Sequence, residues 1–181
     1  MRNLTLYNMR KAHTYNNNAW FARAGRFMRE AHPIKFTVIL VVALNVIFFP
    51  IQLLLELEIL PDYQFRPEPL DMLKTDPWGL FFSAVIFAPL IETLLNQMLP
   101  WFVLRRFKTV RRHRIIAVVV SGLIFGALHY YSVVYILITV VMGMVMMWAY
   151  IVKYRKNPYW NVVLFHAVWN GLAMLLTLLT T

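Results

Sequence analysis

Glu92 is the only acidic residue after Asp76, and it lies near the middle of an otherwise apolar run at 78–104. Two of the five histidines, His129 and His166, also fall in apolar stretches, as do Asn96 and Asn170. A carboxylate beside an imidazole can take a proton from water, and neutral donors in a low-dielectric site stabilise developing negative charge. One Glu and two His could also ligate zinc, although the sequence has no HExxH pair. Charge at membrane depth costs on the order of 3 kcal/mol on insertion scales, so such side chains point to a functional interior rather than to lipid. The bland explanation is a Glu–His hydrogen-bond cluster that orients helices. A carboxylate, two histidines and two asparagines on three helices favour a site.

The local spacings support convergence. Glu92 and Asn96 are four apart and are expected on one helix face; His166 and Asn170, in FHAVWN, repeat that spacing. In SGLIFGALH, His129 stands one turn past Phe125 and Gly126, with Gly122 a further turn back. Gly122 and Gly126 form a GxxxG pair, which lets helix backbones approach closely and sets His129 near a packed face. His13, His32 and His113 lie in basic segments, where a solvated role is expected.

The elements that must position these residues are membrane helices. The chain has 181 residues, of which 60% are hydrophobic, which excludes an ordinary soluble domain. Four stretches are nearly free of charge: 36–55, 78–104, 115–152 and 160–181. A span needs roughly 20 apolar residues, so the third stretch holds two, divided near 130–132. The expected fold class is an all-α polytopic integral membrane protein with about five transmembrane helices and a short N-terminal interfacial helix. A basic cytoplasmic segment at 1–35 precedes a single membrane domain at 36–181. In that segment Trp20, Phe21, Ala24, Phe27 and Met28 alternate with Arg23, Arg26 and Arg29, a helical period with a basic face. A partly ordered basic tail is the other reading of the same residues.

Net charge +10 could suggest nucleic acid, but its distribution does not. Seven of the 18 Lys/Arg precede the first span, six lie at 105–114 and three at 153–156. The connection at 56–77 holds six of the eight acids and four prolines, and reads as an external loop. This is the positive-inside pattern, with the N-terminus cytoplasmic and the C-terminus outside. The expected partners are therefore the lipid bilayer and not nucleic acid. With no cysteine, disulfides and thiolate chemistry are excluded, and no cleavable signal peptide is expected.

Three segments together carry a family likeness: Glu92 within PLIETLLNQ, Phe125-x-x-x-His129, and His166-x-x-x-Asn170. Over about 78–175 they resemble the CAAX protease and bacteriocin-processing (CPBP, or Abi) family of intramembrane proteases. Its motifs run EExxxR, FxxxH, then HxxxN or HxxxD, each on its own membrane helix. The resemblance implies an intramembrane endopeptidase acting on a peptide or membrane-protein substrate. Glu92 and His129 would activate water, while His166 and Asn170 would polarise the scissile carbonyl and stabilise its oxyanion. Thr93, Asn96, Gln97 and Phe125 would support them. Family members are widely labelled metalloproteases, but a glutamate-dependent mechanism requires no cofactor; a divalent metal such as zinc stays open as the alternative.

The chain departs from the motif at Thr93, where the family has its second Glu, and at Gln97, where it has Arg. A neutral hydrogen-bonding pair in place of an ion pair is the expectation there. The alternative function is a non-catalytic membrane scaffold or immunity-type protein of the same fold. A small transporter is a third reading, against which the lack of an inverted repeat counts. Depth makes one demand. At 1.5 Å per residue Glu92 lies roughly 20 Å from Arg105 and His129 roughly 22 Å from Arg114, but His166 only about 10 Å past Tyr159. For the three to meet, the connection after residue 152 must dip into the bilayer, or the last helix must tilt.

Overall fold

The computed structural model describes residues 23–56 and 72–180, and among these residues there are helices and no strand. The chain divides into two units, Met1–His32 and Pro33–Thr181. In the first, residues 23–30 are helical. Trp20 and Phe21 of the expected interfacial helix lie outside the described residues, as do residues 57–71 of the acidic connection.

Among the described residues the second unit has five long helices: α1 (Pro33–Glu56), α2 (Pro77–Leu104), α3 (Ile115–Ala127), α4 (Val133–Val152) and α5 (Pro158–Thr180). Short helices at Met72–Thr75 and Lys108–Arg112 precede α2 and α3. Four of the five, α1, α2, α4 and α5, are long and apolar enough to cross a bilayer. Their outward faces are apolar as well. Val38, Val42 and Val46, one turn apart on α1, are each more than half exposed. Water would penalise such a row, whereas lipid tails match it. The chain is an all-α polytopic membrane protein.

Of the about five transmembrane helices expected, α3 is the short one. It has 13 residues, or about 20 Å, against a hydrocarbon core of roughly 30 Å. The helix stops because the chain has to turn: Leu128 to Tyr131 leave it, and the Ser132 hydroxyl then caps α4 by accepting from the Tyr135 N–H at 3.1 Å. The hairpin direction is unaffected. A Cβ on Gly126 would meet Ile136 and Val140, and one on Gly122 would meet Val140 and Met144, so α3 and α4 run antiparallel in close contact. Gly143 faces Phe125 and Gly122 in the same seam. The GxxxG pair thus packs within the hairpin.

α2 is not a uniform helix. Two stretches, Phe81–Phe87 and Leu94–Met98, adopt wide i→i+5 turns, and Glu92 lies between them. Such turns insert where the α-ladder is interrupted, and prolines interrupt it here. The Ala88 N–H reaches back to the Ser83 carbonyl, and Pro89 has no N–H to offer Ala84. The Asn170 Nδ2–H from α5 takes that carbonyl instead, at 2.8 Å. Pro100 likewise brings no N–H to Asn96, whose carbonyl accepts the Ser121 hydroxyl from α3 at 2.5 Å. A third side chain, the Tyr159 hydroxyl from α5, donates to the Leu90 carbonyl at 2.9 Å. The segment carrying Glu92 is therefore held from two neighbouring helices through its own backbone. Leaving any of these buried groups unpaired would cost about 1–3 kcal/mol.

The depth demand is met, because His166 Nε2 on α5 stands 3.8 Å from Glu92 Oε2. Lys153, at the end of α4, is 1% exposed, with its Nζ 4.5 Å from the centre of the Phe36 ring on α1. Asn157 turns the chain through a positive φ of 51°, and the Asn161 amide donates to the Lys156 and Asn157 carbonyls. The Tyr159–Leu90 bond sets the start of α5 within side-chain reach of the level of Glu92. At the basic end, Arg105 hydrogen-bonds the Tyr154 hydroxyl, and Trp101 packs edge-on against the Tyr154 ring. The C-terminal ends of α2 and α4 are thereby joined.

Candidate active site

Glu92, His129, His166 and Asn170 line one cavity of about 420 Å³. Glu92 comes from the α-helical turn between the two wide turns of α2, His129 from the turn that ends α3, and the other two from α5. The Glu92 Oε2 atom stands 3.9 Å from His129 Nε2 and 3.8 Å from His166 Nε2. Both distances exceed a direct hydrogen bond, and both are short enough for one small molecule to touch both groups. His166 is buried, whereas Glu92 and His129 keep some exposure toward the cavity.

The tautomer of His129 follows from its partner. Its Nδ1 lies 2.7 Å from the Phe125 carbonyl oxygen, which can only accept, so Nδ1 carries the proton. In the neutral ring, Nε2 then presents a lone pair toward Glu92. Phe125, fully within the core, sets this orientation twice over. Its carbonyl holds the imidazole, and its ring lies 4.4 Å from the His129 ring and 5.9 Å, edge-on, from the His166 ring. The FxxxH spacing thus has a physical content that the bare pattern does not carry.

Asn170 sits on the cavity wall with one amide N–H committed to the Ala84 carbonyl. Its second N–H is the one left for a ligand. Asn96 does not line the cavity with Glu92. It is 1% exposed, on the flank where α3 donates to its carbonyl. A four-residue step turns about 40° round an α-helix, and the wide turn at Leu94–Met98 changes the phase again, so shared spacing did not become a shared wall.

Thr93 and Gln97 are fully buried behind Glu92. They do not form the expected hydrogen-bonding pair, because neither the Thr93 hydroxyl nor the Gln97 amide has a hydrogen-bond partner among the described residues. Four residues apart on one helix, they have side chains too short to reach across a turn as a Glu–Arg pair would.

Sequence reasoning missed the remaining polar groups of the wall: Ser83, Tyr131, Tyr135 and Thr139. Hydroxyls in apolar runs are common enough that no spacing singled them out. The rest of the wall is apolar and aromatic, with Phe48, Leu80, Met142 and Trp169 among its residues. Phe48 on α1 and Trp169 on α5 meet at 6.0 Å between ring centres and close one side.

The donor types suit zinc, but the spacing does not. Zinc takes carboxylate oxygen and imidazole nitrogen at roughly 2.0–2.2 Å, which would set tetrahedral ligand atoms about 3.4 Å apart. Here the separations from Glu92 are wider, and among the described residues no three His, Cys, Asp or Glu are grouped to hold an ion.

No curated protein and no solved structure matches the chain. A family model does, described as type II CAAX prenyl endopeptidase Rce1-like and matched over residues 74–172, a range that contains Glu92, His129, His166 and Asn170. The chain belongs to the Rce1-like family of CAAX proteases.

Proposed function

We propose that the chain is an endopeptidase that hydrolyses a peptide bond at or within the membrane, using water activated by Glu92 and His129. The observation that carries this reading is one carboxylate oxygen within 4 Å of two imidazole Nε2 atoms, on the wall of a cavity between membrane helices. Two acceptors, the carboxylate and the His129 lone pair, face each other across 3.9 Å. A water molecule has two O–H donors and suits that gap.

Each step balances with the chain's own groups. As the water oxygen bonds to the scissile carbonyl carbon, its proton passes to Glu92 and the carbonyl π pair moves onto oxygen. His129 Nε2 accepts the second O–H and orients the attack, because its Nδ1–H is held by the Phe125 carbonyl. The His166 Nε2–H and the second N–H of Asn170 stabilise the oxyanion. On collapse the C–N bond breaks with its electron pair on nitrogen, and Glu92 returns the proton to the leaving amine. A carboxylic acid and an amine result, and the acid's proton passes through His129 to the amine or to solvent.

The steps above are written without a metal, and the separations from Glu92 are wider than those between ligands of one zinc ion. Treatment with EDTA is therefore expected to leave the cleavage rate unchanged, and loss of activity that zinc restores would contradict this.

The family description makes a farnesylated CAAX peptide the natural probe. The test is to reconstitute the purified chain in nanodiscs and follow that peptide by mass spectrometry. Cleavage supports the proposal, whereas binding without cleavage would favour a scaffold of the same fold.

Orientation is proposed from charge. The bases at 105–114 and 153–156 are at the joined ends of α2 and α4 and belong on the cytoplasmic side. Reporter fusions at Glu68 and at Thr181 are expected outside the cytoplasm, and a fusion at Thr109 inside. A cytoplasmic reporter at Thr181 would overturn the orientation.

A further inference from the structure

The oxyanion that hydrolysis creates needs donors, and the cavity has few uncommitted ones. Asn170 has one of its N–H groups bound to the Ala84 carbonyl. The Ser83 hydroxyl donates to the Leu80 carbonyl at 3.1 Å, and the Thr139 hydroxyl to the Tyr135 and Ile136 carbonyls at 2.8 and 3.0 Å. Those hydroxyls complete their own helices. His129 uses Nδ1–H on Phe125, and its Nε2 is an acceptor. Glu92, as the base, is an acceptor too. Tyr135 differs from all of these. It lines the same cavity, and its hydroxyl has no hydrogen bond among the described residues.

Its position is fixed from three sides. The Ser132 hydroxyl holds its backbone N–H at the first turn of α4. Its ring stands 5.4 Å, edge-on, from that of Tyr131 and 6.1 Å from that of His129. A cavity-lining tyrosine whose hydroxyl has no hydrogen bond among the described residues keeps its donor available for a ligand.

We propose that Tyr135 is a further catalytic residue, whose O–H donates a hydrogen bond to the oxyanion of the tetrahedral intermediate, alongside His166 and Asn170. No proton leaves the phenol; the bond strengthens as the carbonyl oxygen gains charge. The assignment rests on the hydrolytic reading above and adds a residue that the sequence motifs do not include.

The test uses the full chain in nanodiscs with the farnesylated CAAX peptide, and with a phosphinate analogue of it as the tetrahedral mimic. For Tyr135→Phe, kcat is expected to fall about 10²-fold with KM unchanged, the usual effect of removing one oxyanion donor. The phosphinate should bind more weakly by a similar factor, while an uncleaved product peptide binds as before. Melting in detergent should not change, because the hydroxyl has no partner among the described residues to lose. p-Aminophenylalanine at position 135, which keeps an N–H donor, should recover most of the rate.

Wild-type kcat in Tyr135→Phe, or a loss confined to KM, would overturn the proposal. So would failure of the amino variant to recover activity while folded. Glu92→Gln in the same assay separates the two readings: an inactive Gln variant beside an active Phe variant removes Tyr135 alone. An active Gln variant removes the general base instead, and a wild-type chain that leaves the peptide intact removes both.

Discussion

Glu92→Gln is expected to abolish cleavage, with kcat falling by at least 10²-fold and up to about 10⁴-fold, the range a general base contributes. The amide keeps the shape and volume of the carboxylate but cannot take a proton from water. It would still accept a hydrogen bond through its oxygen, so substrate binding and KM should change little. The protein itself should not suffer. Glu92 has no Lys or Arg among its ion-pair contacts within the described residues, only two histidines at 3.8 and 3.9 Å. A carboxylate in this setting is costly to desolvate, and Gln removes that cost, so melting in detergent should stay level or rise. Kinetics and a thermal melt on one preparation check both halves. Lost activity together with lost stability would mean that Glu92 serves the fold rather than the chemistry.

The second large effect is expected at the hairpin seam. A Cβ on Gly122 would lie 2.8 Å from the Val140 carbonyl oxygen and 2.5 Å from Met144 Cγ. The methionine side chain can yield, but the backbone carbonyl of a packed helix cannot, so α3 must move away from α4. Overpacking of this kind typically costs 1–3 kcal/mol. His129 lies two turns further along α3, and a displacement near 1 Å there can cost on the order of 10²-fold in rate. Gly122→Ala should therefore lower both the melting temperature and kcat. Gly171→Ala is the control, since the nearest atom to its Cβ, Val85 Cγ1, is 3.8 Å away. That change should be neutral or stabilising, because alanine favours helix over glycine. Equal behaviour of the two variants would show that the seam does not position His129.

Much of the site was legible in the residue types. A carboxylate and imidazoles in spans have little reason to face lipid, and Glu92, His129, His166 and Asn170 do share one cavity. The hairpin division was legible too, because Ser132 is a strong cap and lies between two apolar runs. What was not legible depends on where the backbone departs from a regular helix. Pro89 and Pro100 were visible, but not that their freed carbonyls would be taken by Asn170 and Ser121. The same irregular turns carried Asn96 off the cavity wall. The short length of α3 was hidden because 115–152 is free of Lys, Arg, Asp and Glu, and its total length suited two spans without showing where each helix stops. Tyr135 was hidden for a different reason: a tyrosine in a span usually reads as an interfacial or packing residue, and only the bonding of its neighbours shows it as a further open donor.

The central claim is that water, deprotonated by Glu92, cuts a peptide in this cavity. Its most direct test is to digest the farnesylated CAAX peptide in H2¹⁸O, with the wild-type chain and Glu92→Gln in parallel, and to weigh the products. The expected result is a single cut by the wild-type chain, with one ¹⁸O in the new carboxyl terminus, and intact peptide from the Gln variant. Equal ¹⁸O incorporation by both, or intact peptide from both, would contradict the account.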